Sequence, residues 1–230
     1  MAYDFDTIAQ NYDSMNRLMT LGLDRRWRKR AVRGLHGNVL DVACGTGDMI
    51  VILMERGCTV TGVDISEEML EVARLKVKGA RLMVADAEHL PFEDSIFDSV
   101  TCAFGVRNFV HLEQGLSEML RVLKPGGKMV VLELATPDNP LIKPFYNLYT
   151  KYIIPWLGAR IAGSREAYTY LPTSIERFPK GDVFLRILNN LEYESFQDHR
   201  KLTFGVCRLY IVQKMSEKQR GRYPSDPYCH

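Results

Sequence analysis

The chain has 230 residues and a formal net charge of +2, and 46% of its residues are hydrophobic. This length suits one globular domain with a substantial core, expected over residues 1–213, and the small charge gives no support for a nucleic-acid partner. No apolar run reaches the roughly 18–20 residues needed to span a membrane. Residues 1–6 contain acids and no apolar segment, so we expect no secretory signal.

The five cysteines show no CxxC spacing. An odd number without a pattern argues against a disulfide framework and against a structural zinc site, and it indicates a reducing compartment. The sequence therefore predicts a cytoplasmic protein that needs no metal.

The first 36 residues are predicted to form a helical cap ahead of the first strand. Apolar side chains recur every three or four residues from Phe5 to Met19, which is typical of an amphipathic helix. A glycine ends this pattern, and a second helix is expected over residues 24–35 with Asp24 as its N-cap. We interpret the basic residues of this helix as a solvated face, with a membrane-surface or phosphate patch as the alternative. They are Arg25, Arg26, Arg28, Lys29, Arg30 and Arg33.

Strand and helix patterns alternate from residue 39 to residue 135. The strands are short apolar runs and the helices carry buried stripes, which is typical of parallel βαβ units. The pattern predicts a doubly wound α/β fold, with a mostly parallel seven-stranded sheet and helices on both faces. Its first five strands are expected from residue 39 and over 58–63, 81–85, 97–104 and 128–135, with helices over 48–56, 67–77 and 112–123.

The alternation ends after the fifth strand. Residues 137–180 are rich in proline and aromatic residues, and we interpret them as a helical insert. A final helix over residues 184–191 and an antiparallel pair of strands at 193–196 and 206–213 are expected to close the fold. The polar residues 214–230 are predicted to be a disordered tail.

The chain is organised around the turn after the first strand, Cys44-Gly45-Thr46-Gly47. Glycines let backbone N–H groups approach a ligand, but this turn does not suit a diphosphate. Position 50 lacks the third glycine of a dinucleotide motif, no Lys-Ser/Thr pair is present, and the Asp41 carboxylate at the strand tip would repel phosphate. These features disfavour a nicotinamide-dependent dehydrogenase. S-adenosylmethionine (SAM) fits better because it has a nucleoside, an ammonium and a sulfonium, and no phosphate.

Further candidate ligands follow the next strands. Asp64 is expected to accept hydrogen bonds from both ribose hydroxyls, and Asp86 with the Ala87 N–H is expected to bind the adenine. The glycine turn is expected at the methionine end of the cofactor, and the strand-tip carboxylate is expected to offset the ammonium. Because the carboxyl ends of parallel strands share one edge of a sheet, these residues predict one site. They are Asp41, Gly45, Thr46, Gly47, Asp64, Asp86 and Ala87.

Several longer motifs are Phe5-Asp6-x-Ile8-Ala9-x-x-Tyr12-Asp13-x-Met15-Asn16, Arg25-x-Trp27-Arg28, Asp41-Val42-Ala43-x-Gly45-Thr46-Gly47-Asp48, Phe104-Gly105-Val106-Arg107-Asn108, Lys124-Pro125-Gly126-Gly127 and Tyr168-x-Tyr170-Leu171-x-x-Ser174-x-x-x-Phe178-Pro179. Together they resemble the ubiquinone/menaquinone-biosynthesis C-methyltransferase family, a group of class I SAM-dependent methyltransferases. The resemblance covers about residues 5–180. The closing strand at 203–210 departs from the family, and Phe204, Arg208 or Tyr210 would alter the acceptor pocket.

The resemblance implies a class I methyltransferase fold and methyl transfer from SAM to a ring carbon of a polyprenylated quinol precursor similar to demethylmenaquinol. S-adenosylhomocysteine would be the product. The resemblance also implies Ala103, where some members have serine, in the cofactor site. Arg107 would stabilise the quinol oxyanion, and Asn108 would orient the hydroxyl or a water. His111 and Tyr149 are candidates for the general base.

The expected partner is a hydrophobic small molecule, which the aromatic insert would cover as an apolar lid. Since an isoprenoid substrate lies in a membrane, peripheral contact with the inner membrane face through residues 141–160 is a hypothesis, and self-association stays open. The alternatives are methyl transfer to another hydrophobic phenol, and a methyltransferase-like binding protein without turnover. The intact set of glycines and acids argues against the second alternative.

Overall fold

The structure of the chain, a computed structural model, describes residues 12–154, 156, 172–191 and 195–215. The strands are β1 (Asn38–Val42), β2 (Thr59–Asp64), β3 (Arg81–Val84), β4 (Phe97–Ala103), β5 (Leu123–Leu134), β6 (Ser195–Leu202) and β7 (Cys207–Lys214). The α-helices are α1 (Tyr12–Met19), α2 (Leu23–Ala31), α3 (Asp48–Met54), α4 (Glu67–Lys76), α5 (Leu112–Arg121), α6 (Lys143–Leu148) and α7 (Asp182–Asn189). Single turns lie at Val106–Asn108 and Thr203–Gly205, a π-helical turn Tyr149–Ile153 follows α6, and residues 172–177 are helical.

The strands form one sheet in the order β3-β2-β1-β4-β5-β7-β6. The pairs among β1 to β5 are parallel, whereas β7 runs antiparallel to β5 and β6. The predicted doubly wound, mostly parallel, seven-stranded sheet is therefore confirmed. Because β1 to β4 run in one direction, the loops that follow them lie at one edge of the sheet.

Apolar side chains cover both faces of the sheet, since successive residues of a strand point to opposite sides. On one face, Val39 belongs to a cluster with residues of α2, α3 and α4. On the other, Leu40 and Val42 belong to a cluster with residues of α5 and α7. Fully burying one such side chain contributes roughly 1.5–3 kcal/mol, so the two clusters hold the sheet edge in place for a site.

Helix α2 differs from its prediction. Gly22 occupies the N-cap with a φ of 74°, so the prediction of Asp24 as N-cap is wrong. Asp24 lies in the first turn instead, where its buried carboxylate accepts a hydrogen bond of 2.9 Å from the Thr20 hydroxyl. The predicted solvated basic face also needs correction, because Arg28 is buried with its guanidinium carbon 4.8 Å from the centre of the Phe104 ring. The other basic residues of that face are exposed.

Helix α5 ends and β5 begins before the Pro-Gly-Gly turn, so the predicted boundaries at residues 123 and 128 are wrong. The turn lies inside β5, as an irregular stretch of its pairing with β4. Lys214 connects the two elements here, since its Nζ donates hydrogen bonds of 2.8 Å to the carbonyls of Leu120 in α5 and Leu123 in β5. As the last residue of β7, Lys214 does not belong to the predicted tail.

The closing strands form the predicted antiparallel pair, although β6 continues to Leu202 rather than ending at residue 196. The insert supplies α6, the π-helical turn and the helical turn over residues 172–177, in agreement with its predicted helical character. The stripe before residue 12 and the tail after residue 215 lie outside the described residues. Within the described ranges, no helix has both the length and the apolar character required to cross a bilayer.

Candidate active site

The turn between β1 and α3 has a shape that depends on its glycines. Gly45 and Gly47 have φ values of 54° and 83°, which L side chains rarely adopt. The Gly45 N–H donates a hydrogen bond of 2.7 Å to Oδ2 of Asp64, which ties the turn to the end of β2. A Cβ at Gly47 would lie 3.2 Å from Val77 and 3.3 Å from Ala73, so α4 also packs closely against the turn.

The carboxylate of Asp64 is held in one orientation by the start of α4. Its Oδ1 accepts a hydrogen bond of 3.0 Å from the Ser66 N–H. Ser66 is the N-cap of α4, as predicted, because its hydroxyl accepts a bond of 3.1 Å from the Met69 N–H. The sequence thus places a fixed carboxylate at the carboxyl end of β2, next to the glycine turn.

A first cavity of about 200 Å³ opens at this edge of the sheet. Its wall combines carboxylates at the end of β2 and after β3 with small and apolar residues, and these hydrogen-bond acceptors fit a nucleoside with hydroxyl and amino groups and a positive charge. Asp41, Thr46 and Gly47 do not line this cavity, although they lie in or beside the same turn. The predicted site residues that the structure brings together in its wall are Gly45, Asp64, Asp86, Ala87, Ala103 and Asn108.

Asp41 is buried in β1. Its Oδ1 accepts a hydrogen bond of 2.6 Å from the Thr101 hydroxyl, and Oδ2 has no hydrogen-bond partner among the described residues. Burial raises the pKa of Asp41 to about 7, with nearby Asp64 adding to the rise and Thr101 and Arg28 opposing it. A nearby cation would favour its ionised form, which is what the predicted pairing with an ammonium requires.

Asp13 joins the amino-terminal helix to the glycine turn, a role that the sequence did not suggest. It accepts a hydrogen bond from the Thr46 hydroxyl and forms an ion pair with Lys76. Lys76 also donates a bond of 3.1 Å to Asp48, so one ammonium connects α1, α3 and α4. The amino-terminal motif contained Asp13, but its partner Thr46 lies 33 residues away in the chain, and only the fold brings them together.

A second cavity of about 400 Å³ lies next to the first, and the Phe104 side chain lines both. Helices α1 and α2, the loop after β4, the end of β5, the insert and the turn before β7 contribute to its wall, which is mainly apolar and aromatic. The insert therefore covers an apolar chamber, as the predicted lid would. Its contributions to the wall are Ile142, Phe145, Tyr146, Tyr149, Thr150, Ile154, Pro172 and Ile175.

The closing strand enters this wall through other residues than those expected. Phe204 is exposed, and Arg208 and Tyr210 are buried outside the lining of the second cavity. Thr203 and Val206 line it instead. Which side chains of this segment reach the cavity could be recognised only from the turn geometry.

Of the described residues in the wall of the second cavity, Arg107 is the cationic one. Its Nη1 lies 2.7 Å from Oε1 of Glu133 and also donates to the Phe104 carbonyl. Glu133 accepts further bonds of 3.3 Å from the Arg107 N–H and 2.8 Å from the Leu134 N–H. Both members of the ion pair are buried, so the guanidinium is oriented and its field is only weakly screened.

The other predicted catalytic residues fall in three different places. Asn108 lines the first cavity. Tyr149 lines the second, where its hydroxyl donates a bond of 3.1 Å to the Met19 carbonyl and burial raises the pKa of Tyr149. His111 lines neither cavity, because its exposed ring is held 2.8 Å from Glu88 at the start of α5.

Comparison with a protein-family model identifies the kind of enzyme to which these two adjoining cavities belong. The model described as the ubiE/COQ5 methyltransferase family matches residues 2–214. The chain belongs to this family. It is 42% identical over 222 residues to a demethylmenaquinone methyltransferase of Bacteroides fragilis, with 91% of this chain and 90% of that protein covered. It is 41% identical to the ubiquinone/menaquinone biosynthesis C-methyltransferase UbiE of Geotalea daltonii, with 91% and 94% covered.

Solved structures resemble the fold at low sequence identity. The plantazolicin methyltransferase BpumL in complex with S-adenosylhomocysteine aligns with a TM-score of 0.65 and 15% identity, covering 91% of this chain and 89% of that one. A SAM-dependent methyltransferase from Aquifex aeolicus aligns with a TM-score of 0.58 and 15% identity, covering 88% and 98%. The class I methyltransferase fold is confirmed, and family membership makes the chain a SAM-dependent methyltransferase.

Proposed function

We propose that this methyltransferase transfers a methyl group from SAM to a ring carbon of a quinol with an isoprenoid tail, such as demethylmenaquinol. The observation that carries the proposal is the apolar second cavity, which meets the first at Phe104. An oily ring seated there lies next to a bound cofactor, as in-line displacement requires. Relatives named demethylmenaquinone methyltransferase support the same acceptor.

The residues around the first cavity hold the cofactor, which supplies a methyl group activated by its sulfonium. Asp64 accepts hydrogen bonds from the ribose hydroxyls, which its fixed orientation at the end of β2 favours. Asp86 and the Ala87 N–H would bind the adenine, and Ala103, which lines the same cavity, would contact the cofactor. The glycine turn holds the methionine end, where Asp41 offsets the ammonium charge.

The second cavity prepares the acceptor. A quinol carbon becomes nucleophilic when the neighbouring hydroxyl loses its proton, and the resulting oxyanion needs a positive partner. Arg107 supplies this partner from the cavity wall, because Glu133 holds its guanidinium in place. Asn108 orients the hydroxyl or a water from the adjoining cavity. The apolar walls keep bulk water away from the reacting carbon.

The test is a methyl-transfer assay with the purified chain, SAM and demethylmenaquinol kept reduced, analysed by mass spectrometry. We expect a methyl group on the ring carbon and an equal amount of S-adenosylhomocysteine. The oxidised quinone, which has no hydroxyl to ionise, should give no product. If simple phenols were methylated faster than the quinol, a phenol would replace the quinol as the proposed acceptor. If neither the quinol nor the phenols gave a product, the proposal would be overturned.

Replacing Asp64 with alanine should weaken SAM binding by about 100-fold or more. The reason is the loss of charge-assisted hydrogen bonds, which contribute roughly 1.5–3 kcal/mol each. Isothermal titration with SAM measures the effect. Glu67→Ala is the matched control because Glu67 is a half-exposed carboxylate of α4 that does not line the first cavity. Unchanged affinity of the Asp64 variant would remove Asp64 from the cofactor site.

We also propose that the mouth of the second cavity touches a membrane from the cytoplasmic side. Large apolar side chains are exposed on the insert and around the cavity, and Leu21 and Phe145 both line it and remain 74% exposed. Exposed cations flank them, including Arg25 on α2 and Lys143 and Lys151 on the insert. An apolar rim with basic neighbours favours an anionic lipid surface. Among the described residues of the insert, the large apolar ones that are exposed are Leu141, Phe145, Leu148, Tyr152, Ile153 and Trp156.

The chain should float with liposomes that contain anionic lipid. The double variant Leu141→Ser/Leu148→Ser should reduce the membrane partition coefficient more than 10-fold. Each buried leucine contributes roughly 1.5–3 kcal/mol, so losing both exceeds that factor. Leu75→Ser is the control, because Leu75 is equally exposed on α4 and lies outside the second cavity. No flotation of the unmodified chain, or equal loss in the control, would contradict membrane contact through the insert.

A further inference from the structure

Asp24 brings a carboxylate to the wall of the second cavity. Among the described residues that line this cavity, it is the one acid, and Arg107 is the one cation. The Asp24 side chain is 2% exposed, in a wall that is otherwise mostly apolar and aromatic. Burying an acid is costly, so its position inside a substrate-sized chamber calls for an explanation.

The contacts of Asp24 leave its carboxylate able to accept another proton donor. Oδ1 accepts one hydrogen bond of 2.9 Å from the Thr20 hydroxyl. Oδ2 lies 3.9 Å from Nε of Arg28, which is too far for a hydrogen bond, and Arg28 itself stacks on Phe104. An ionised carboxylate has about four acceptor positions, so these contacts do not saturate it.

The other phenolic and imidazole candidates suit proton removal less well. Burial, with the charge of Glu176, raises the pKa of Tyr146 to about 12, and burial also raises the pKa of Tyr149. Both phenols therefore stay protonated at neutral pH. His111 is exposed and lies outside the second cavity. The Asp24 carboxylate in the wall is therefore the proton acceptor that the second cavity provides.

We propose that Asp24 is the general base that takes the hydroxyl proton of the acceptor ring. The inference rests on the proposed function and adds the group that starts the reaction. The O–H electron pair stays with the ring, the proton moves to the carboxylate, and the charge faces Arg107. After methylation, the ring carbon gives up its own proton to water while Asp24 returns its proton to the ring oxygen. One proton is released for each methyl group transferred.

The electrostatic surroundings of Asp24 come from several elements. Arg28 lies on the same helix, and Arg107 after β4 faces the same chamber with its partner Glu133. Asp41 of β1 interacts electrostatically with Arg28. Arg28 stands 3.9 Å from the Asp24 carboxylate, and Arg107 lines the same cavity as Asp24. The phenols that complete the wall are Tyr146 and Tyr149.

The main test compares Asp24→Asn with the unmodified chain in the demethylmenaquinol assay. The amide keeps the shape and the Thr20 contact but cannot take a proton. We expect kcat to fall about 100-fold or more, with KM for the quinol and SAM affinity within threefold. The acidic limb of the pH–rate profile should disappear, and Asp24→Glu should restore part of the rate. Asp94→Asn, at an exposed acid outside both cavities, is the matched control.

A second readout needs no cofactor and no turnover. Bound 2-naphthol, when excited, gives naphtholate emission if a base accepts its proton, and Asp24→Asn should reduce that emission at equal occupancy. If this variant does not fold, Thr20→Val, which removes the hydrogen bond to the Asp24 carboxylate, should lower kcat while SAM affinity stays unchanged. If the unmodified chain did not methylate demethylmenaquinol, the proposed function itself would be wrong. An active chain whose Asp24→Asn variant keeps its rate, its acidic limb and the emission would overturn the assignment of Asp24 alone.

Discussion

Replacing Arg107 and Glu133 together, as Arg107→Met/Glu133→Gln, should lower kcat by about 100- to 1,000-fold while SAM affinity stays within threefold. Preorganised stabilisation of a developing oxyanion contributes about 2.7–4 kcal/mol, which corresponds to that loss. Both residues are changed because removing Arg107 alone would leave Glu133 buried and unpaired, at a cost of about 3–5 kcal/mol in stability. Steady-state assays with quinol and titration with SAM measure the two quantities.

This prediction must be distinguished from a purely structural role of Arg107 in holding the backbone at Phe104. Nη1 of Arg107 also donates to the Phe104 carbonyl, and Phe104 has a φ of 64° and lines both cavities. If Arg107 acted only by holding this turn, its loss would weaken SAM binding together with turnover. Arg107→Lys keeps a charge without the forked geometry and should retain more activity than the double variant. A double variant with kcat within threefold of the unmodified chain would reduce Arg107 to a structural ion pair.

The sheet and its ligand-bearing edge could be predicted from local sequence. The strands are short apolar runs that end in residues a packed core would exclude, such as Asp64 after β2 and Asp86 after β3. The glycines of the first turn and the Ser66 cap obey rules that act over a few residues. In a parallel sheet these strand ends must meet, so the first cavity followed from topology without knowledge of distances.

The second cavity could not be predicted in the same way. Its wall draws on residues from Asn16 to Val206, so no single stretch of sequence carries its pattern. Asp24 shows the difficulty, because an acid before a helix ordinarily predicts an N-cap. Its burial beside Arg28 depends on how α2 packs on Phe104. His111 was a candidate base by residue type, and the position of its ring on the surface depends on Glu88.

Replacing Asp41 with asparagine should make the chain more stable at pH 8 than the unmodified chain, and the advantage should vanish near pH 4. Burial raises the pKa of Asp41 from 3.8 to about 7, so the folded state binds more protons than the unfolded state between these values. Stability therefore falls as pH rises through that window, by about 1.4 kcal/mol per pH unit and about 4 kcal/mol in all. Asparagine keeps an acceptor for the Thr101 hydroxyl and has no charge to bury.

Urea unfolding of both proteins from pH 4 to pH 8 isolates this carboxyl, because every other titrating group is common to the two. Cofactor binding should change in the opposite sense. If Asp41 offsets the ammonium of SAM, the asparagine variant should bind SAM more weakly at pH 8 although it is more stable. The unmodified chain should also release a proton on binding when Asp41 starts protonated, which calorimetry in buffers of different ionisation enthalpy detects. Parallel stability curves would refute the raised pKa of Asp41. Equal SAM affinity of the two proteins at pH 8 would refute the pairing of Asp41 with the ammonium. If the asparagine variant gained stability without losing affinity, the Asp41 carboxylate would have no role in binding the cofactor.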